Sequence, residues 1–184
     1  MLHEIMVEEL IMDTKDNFSQ RLIELEDVVD DGVIENQFLT FKIGDEIYGV
    51  GIVFVVEIIE MIKITPIPEM QECIKGVINL RGKVIPIMDI RLRFAMEERA
   101  YDSRTCIIVV KIEELEIGLI VDTVSEVIDI PADHIQPPPQ INRKSEKRFV
   151  MGMGRIADNV AILLDVQKML FDDELEKLKD VNSL

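Results

Sequence analysis

The feature that most constrains this chain is that it repeats itself. Shifted by 69 positions without a gap, FLTFKIGDEIYGVGIVFVVEII (38–59) lies over IIVVKIEELEIGLIVDTVSEVI (107–128). Lys42 meets Lys111, Ile43 meets Ile112, Gly49 meets Gly118, Val55 meets Val124 and Glu57 meets Glu126. Nearly every other apolar position of one copy is apolar in the other. A second block repeats at a shift of 76, GVINLRGKVIPIMDI (76–90) over GMGRIADNVAILLDV (152–166), with Gly76 on Gly152 and Asp89 on Asp165. The extra residues between the two shifts are easily housed around Pro137-Pro138-Pro139, a stiff extended segment. The body is therefore one unit used twice, and its fold must carry an internal two-fold correspondence.

Within a unit the apolar residues follow the period of strands. Leu39, Phe41 and Ile43 alternate with Thr40 and Lys42, Gly44-Asp45-Glu46 makes a short connection, and Ile47–Ile52 resumes, so 38–52 reads as a hairpin. A third apolar run and a second strand pair follow. About five short strands per unit with no long helix between them point to an all-β chain of small antiparallel barrels. The units fall at 37–104 and 105–171. A core of that size is marginal alone, so the two barrels are expected to pack on each other. Aromatic residues are only 5% with no Trp, which leaves the filling to aliphatic side chains. Ile52, Val55 and Ile58 recur every third residue, as do Val121, Val124 and Val127. Strict strand alternation does not bring such a set to one side, whereas a helical turn or a bulge does. Asp89 and Asp165 each precede a short helical pattern and are expected as N-caps. Val166, Met169 and Leu170, with Leu175 and Leu178 beyond, predict a C-terminal helix that runs into a tail over 172–184.

Residues 1–36 read as an acidic helical extension outside this body. Phe18, Leu22, Leu25 and Val29 keep the spacing of one helical face, and eleven acids face only Lys15 and Arg21. Such a segment is either a solvated extension or an amphipathic helix that docks on a partner or a second copy. The net charge of the chain is -16, which argues against binding nucleic-acid backbones or anionic membrane surfaces. No basic segment followed by an apolar run opens the sequence and no stretch of eighteen apolar residues occurs, so a cytoplasmic protein without direct membrane insertion is expected. Cys73 and Cys106 are far apart in sequence and read as small buried hydrophobes in a reducing compartment.

The residues offer little chemistry. His3 and His134 have no second nitrogen or thiolate at metal spacing. There is no G-x-S-x-G elbow, no Walker lysine loop and no G-x-G-x-x-G, and the acids concentrate in the extension, the hairpin tips and the tail. A non-enzymatic protein with neither cofactor nor metal is expected. What stands out is 76–91, GVINLRGKVIPIMDIR, which reads as strand, tight turn, strand. Asn79 and Gly82 suit the turn, Pro86 marks an edge or a bulge, and Arg81 presents a planar five-donor fork. Arg81 either braces the barrel by pairing with a carboxylate such as Glu57 or serves a partner.

This segment resembles the signature of the CheW family of bacterial chemotaxis coupling proteins. Phe38-Leu39-Thr40-Phe41, Gly44-Asp45-Glu46, Tyr48-Gly49-Val50, Val55-x-Glu57-Ile58, Thr65-Pro66-Ile67-Pro68, Gly118-Leu119-Ile120-Val121-Asp122 and Leu163-Leu164-Asp165 fall in family order, over about residues 37–171. The resemblance implies two intertwined five-stranded SH3-like barrels around a shared hydrophobic core. It also implies a non-catalytic adaptor that bridges the cytoplasmic tips of transmembrane chemoreceptors to the regulatory domain of the histidine kinase CheA. On the matching positions, Leu39, Ile52, Val55, Ile58 and Val121 would form a groove between the barrels for a receptor helix, and Glu57, Gly76 and Arg81 would serve the kinase. The acidic extension and the proline run depart from the family pattern without touching the motif. A coupler in a non-chemotaxis array that controls pili or second-messenger output stays open as an alternative. So does a ligand-binding double barrel acting as a sensor.

Overall fold

The computed structural model describes residues 36–138 and 149–170. The expected helical extension, apart from Asn36, and the expected tail over 172–184 lie outside these residues. The first repeat supplies β1 (Gln37–Ile43), β2 (Glu46–Gly51), a 3₁₀ turn η1 (Ile52–Phe54), β3 (Val55–Glu60), β4 (Ile74–Leu80), β5 (Lys83–Asp89) and a single helical turn, α1 (Ile90–Arg93). The second supplies β6 (Cys106–Ile112), β7 (Leu115–Val121), β8 (Thr123–Asp129), the two-residue β9 (Ile135–Gln136), β10 (Val150–Ile156) and β11 (Asn159–Leu164). Val166–Lys168 then form a 3₁₀ turn where the beginning of a C-terminal helix was expected.

Four hairpins close through two-residue loops. Gly44, Glu113, Arg81 and Ala157 each open a loop with φ between 48° and 63°, and Gly82 follows Arg81 at φ 87°. Positive φ at the first loop residue gives the turn the twist that neighbouring strands already have. Gly44 and Glu113 are equivalent in the repeat, as are Arg81 and Ala157, so the correspondence extends to backbone conformation. The expected role of Asn79 holds, since its Oδ1 accepts the Gly82 N–H at 3.0 Å.

The two repeats exchange hairpins. One sheet has the order β8-β1-β2-β11-β10-β9 and the other β3-β6-β7-β5-β4. The β1–β2 hairpin of the first repeat thus sits among strands of the second, and β6–β7 of the second sits among strands of the first. An isolated bridge from Thr65 to Val77 stands where β9 meets β10 in the other half. The result is a pair of intertwined SH3-like barrels. Pairing is antiparallel except at the two places where a foreign hairpin is received, β2 with β11 and β5 with β7. Those junctions are tight. Gly49 lies opposite Leu163 and Gly118 opposite Ile87. A Cβ at Gly118 would stand 2.5 Å from Ile87 Cδ1, and one at Gly49 would stand 3.0 Å from Leu163 Cδ2. Pro86, expected at an edge or bulge, instead occupies the inner strand β5. There it falls just before the parallel register with β7 begins, so its missing N–H leaves no bond of that register unmade.

Hairpin exchange buries both faces of the exchanged strands. On β6, Cys106, Ile108, Val110 and Ile112 join a cluster shared by the two barrels, while Ile107 and Val109 join a smaller one inside their own barrel with Ile78, Ile85, Ile87 and Ile120. On β1, Leu39, Phe41 and Ile43 face the shared cluster and Phe38 the interior of the other barrel, with Ile130, Ala161 and Leu163. The expected shared core is therefore present, and it is mostly aliphatic. Four of its aromatics form one string, with ring centroids 5.9 Å apart for Phe41–Tyr48, 5.1 Å for Tyr48–Phe94 and 4.9 Å for Phe94–Phe149. Both predicted caps are found. Asp89 Oδ1 accepts the N–H groups of Arg91 and Leu92, and Asp165 Oδ1 accepts that of Gln167.

Because each barrel borrows a hairpin, neither repeat can complete a barrel from its own strands. Residues 37–104 and 105–171 expressed separately are expected to be unfolded as monomers, and to gain cooperative structure only when mixed or when two copies exchange hairpins. Circular dichroism with analytical ultracentrifugation checks this. A folded monomeric half contradicts the exchange.

Candidate partner-binding surfaces

The five residues expected to form a groove come together. Leu39 on β1, Ile52 in η1, Val55 and Ile58 on β3 and Val121 at the end of β7 all belong to the cluster between the barrels. Their spacing has two causes. The 3₁₀ turn returns the chain to the same side between Ile52 and Val55. Between Val55 and Glu57 the register with β6 then slips, so a bulge at Val56 brings Ile58 round as well. The equivalent slip occurs on β8, where Val124 pairs with Phe41 and Val127 with Leu39. There the bulged backbone is held by Thr40, whose hydroxyl donates to the Glu126 carbonyl at 2.7 Å and accepts the Glu126 N–H at 3.2 Å. The sequence signal for this device was a polar Thr40 standing where the other repeat has Val109.

These five side chains form a floor, not an exposed lining, since none is more than 7% exposed. The accessible apolar surface along the seam belongs to neighbours. Val124 and Val127 pack half-buried against the same cluster, while Val53 and Val56 are exposed. The three-residue spacing in the sequence includes Val124 and Val127 but not Val53 and Val56, which lie between its positions.

The three residues expected on the kinase side separate into two places. Arg81 and Glu57 form a bidentate pair, Nη1 to Oε1 at 2.9 Å and Nη2 to Oε2 at 2.8 Å. The brace between them is therefore real, yet the Arg81 side chain is 76% exposed and still presents its guanidinium to solvent. At the equivalent turn of the other half, Ala157 stands where Arg81 does here, so that position presents no guanidinium. Lys83, paired with Glu116, adds a second cation beside the turn. Gly76 lies towards the far end of β4, at a bulge, and is buried. At φ 138° with the Thr65 carbonyl oxygen 2.1 Å from where a Cβ would stand, it is a backbone contact point, not a surface.

A polar cluster that the sequence did not reveal ties the connection between repeats to the β7–β8 crossing and the β1–β2 hairpin tip. Arg91 holds Asp122 through Nε at 2.8 Å and Nη2 at 2.5 Å, and the Gly44 N–H donates to Asp122 Oδ2 at 2.8 Å. Arg99 adds a longer contact to Asp122 at 3.6 Å and pairs with Asp102 at 2.7 Å. Burial alone would raise the Asp122 pKa, but the hydrogen bonds from Arg91 and Gly44 and the two guanidinium charges outweigh it and hold the carboxyl below its ordinary value. Nearby, burial and the hydrogen bond to Asp89, 2.8 Å away, push the Tyr101 pKa up, so its hydroxyl stays protonated and donates. Among the described residues no group of three His, Cys, Asp or Glu side chains is placed to hold a metal ion. Among them too, no helix is long and apolar enough to cross a membrane.

Comparison with known proteins decides the family. A CheW-like domain matches residues 37–174. The chain belongs to the CheW family. Over 148 residues it is 34% identical to the chemotaxis protein CheW of Klebsiella aerogenes, covering 80% of this chain and 89% of that protein. It is 30% identical to the CheW of Treponema pallidum over 149 residues, covering 79% and 88%. It is 32% identical to the protein FrzA of Myxococcus xanthus over 138 residues, covering 74% and 86%. Among solved structures, the scaffolding protein TtCheW of Thermoanaerobacter tengcongensis superposes with a TM-score of 0.68 at 37% identity, over 73% of this chain and 92% of that one. The CheW-like match thus spans both barrels, the seam between them and the Arg81 turn.

Two stability outcomes follow from the geometry. Asp122→Asn should cost about 2 kcal/mol at neutral pH through the lost charged hydrogen bonds. A carboxyl whose pKa is depressed on folding stabilises fully above its unfolded value of ~3.9 and loses that contribution as pH falls through its folded value. The gap between wild type and variant should therefore hold from pH 7 to 5 and close in stronger acid. Urea denaturation at several pH values checks it, and a gap independent of pH contradicts the ion-pair account. Gly76→Ala should destabilise by more than the ~1–3 kcal/mol typical of overpacking, because the obstacle is backbone and the φ is unsuited to alanine.

Proposed function

We propose that this chain is a non-catalytic adaptor that couples chemoreceptors to the histidine kinase CheA in the cytoplasm, where it is recruited to membrane-associated receptor arrays. The observation that carries the reading is the family match across the whole described body. An adaptor needs separate surfaces for its two partners, and the two halves of this molecule differ in a way that could supply them. The seam between the barrels takes the receptor's cytoplasmic tip. Its floor is Leu39, Ile52, Val55, Ile58 and Val121, and a partner helix laid along it would bury the half-exposed Val124 and Val127. Each such valine contributes roughly 25 cal/mol per Å² of apolar area covered. The β4–β5 turn takes the regulatory domain of CheA. Arg81, exposed and preorganised by Glu57, would provide a planar donor to a carboxylate or backbone carbonyl of the kinase. Gly76 would act there indirectly, by fixing how β4 meets the Thr65–Pro66 segment.

Charge at Val55 would fall in the shared core, so that position tests stability and not binding. The discriminating variants are Arg81→Ala and the double change Val124→Ser with Val127→Ser. Arg81→Ala should weaken binding to the kinase regulatory domain about tenfold, equivalent to ~1.4 kcal/mol, and leave receptor binding intact. The valine pair should do the reverse. Calorimetry with each partner, alongside thermal melts, reads both. If each variant keeps both partners at wild-type affinity, the assignment of surfaces is wrong.

A further inference from the structure

An end strand of each sheet carries the same order of side chains towards the seam. On β8, Val124 lies opposite Phe41, Val127 opposite Leu39 and Asp129 opposite Gln37. Opposite residues of an antiparallel pair share a face, so all three stand on the side of the shared cluster, which holds Leu39 and Phe41. On β3, Val55 lies opposite Val110, Ile58 opposite Ile108 and Glu60 opposite Cys106, and all three of these β6 partners belong to that cluster. Asp129 is the repeat equivalent of Glu60 at the shift of 69. Both strands therefore end their apolar run on a carboxylate. Both carboxylates are exposed, while the apolar residues before them are buried or half-buried.

Core packing does not call for an acid at an exposed position, yet both repeats place one there. Because the seam lies between the repeats, the two acids border one common surface. Glu57, Glu116 and Asp122 are engaged by Arg81, Lys83 and Arg91, whereas among the described residues no cation pairs with Asp129. An apolar strip that ends in negative charge selects among the helices that could lie on it. A second copy of this chain, at a net charge of -16, would bring like charge to it. Val127 and Asp129 are two strand residues apart, about 6.6 Å, close to the ~5.4 Å of one helical turn. A helix laid along β8 with an apolar residue on Val127 thus presents to Asp129 the residue three or four positions further on.

We propose that the seam is made for an amphipathic helix that carries Lys or Arg three or four residues beyond its apolar contact, with Asp129 of one sheet and Glu60 of the other receiving the charge. That this helix belongs to the receptor's cytoplasmic tip rests on the adaptor reading; the preference for a basic edge does not. Apolar burial supplies the affinity. The exposed carboxylates add little to it and act mainly by steering the encounter and turning away acidic helices.

The test uses the full chain with valine methyl groups isotope-labelled. It is titrated with two synthetic peptides that share one helical leucine stripe and carry either Lys or Glu at the position one turn beyond it. The Lys peptide should shift the Val124 and Val127 methyl resonances and bind about tenfold more tightly than the Glu peptide at low salt, with the gap narrowing as salt is added. Asp129→Lys with Glu60→Lys should reverse the order of the two peptides and, both positions being exposed, leave thermal melts unchanged. Equal binding of the two peptides, no shift of either valine, or a Lys preference that survives the double change overturns the proposal. A chemoreceptor cytoplasmic fragment forms the separate arm. If the Lys preference is found at the valines and the fragment does not bind, the basic-edge surface stands and the receptor assignment of the adaptor reading falls.

Discussion

The structure depends on the passage of one strand from barrel to barrel. β2 ends at Gly51 and β3 begins at Val55, with only the 3₁₀ turn between them, and Asp122 alone separates β7 from β8. At neither place does the chain fold back beside itself, because β2 and β3 lie in different sheets, as do β7 and β8. Each pair of strands is therefore one continuous bent element, and the hairpin on one side of the bend must find partners in the other repeat. The parallel junctions, the shared cluster and the interlocking all follow. The glycines at the junctions, Gly49 and Gly118, let the received hairpin approach Leu163 and Ile87 closely enough for the inner clusters to fill.

The sequence carried much of this and hid one thing. Alternation gave the hairpins, glycine and asparagine gave the turn at 79–82, and Asp89 and Asp165 announced their caps. The three-residue spacing of Ile52, Val55 and Ile58 foretold a turn or bulge, and both occur. What composition and period could not settle was whose hairpin completes which barrel. When two repeats share a pattern, β1–β2 satisfies either sheet equally, because side-chain alternation records which face is buried and not which strand lies alongside. Intertwining came only with the family resemblance.

The site was less legible for a related reason. A buried apolar residue and an apolar residue that binds a partner have the same sequence signature. Leu39, Ile52, Val55, Ile58 and Val121 were selected together and do lie together, but as a floor. Gly76 looked like a surface position until its backbone proved to press on Thr65. Arg81 and Glu57 were visible as a possible pair, and they are one. The Asp122 cluster escaped because its members come from separate motifs, Arg91 closing 76–91, Asp122 closing 118–122 and Gly44 opening a hairpin loop, and nothing in the sequence joins them.

That cluster points to a way of reading duplicated folds. Positions that agree between repeats, such as Gly49 with Gly118 or Asp89 with Asp165, carry the architecture, since both halves must solve the same packing problem. Positions that disagree are released from that common demand. Thr40 against Val109 gives a side-chain brace to only one of the two equivalent bulges. Arg81 against Ala157 gives one barrel a guanidinium at its turn. Asp122 against Val53 exchanges an ion cluster for an apolar face. A protein built from two similar barrels can present two different surfaces only through positions of this second kind. The differences between the repeats therefore mark where its surfaces acquire distinct chemistry.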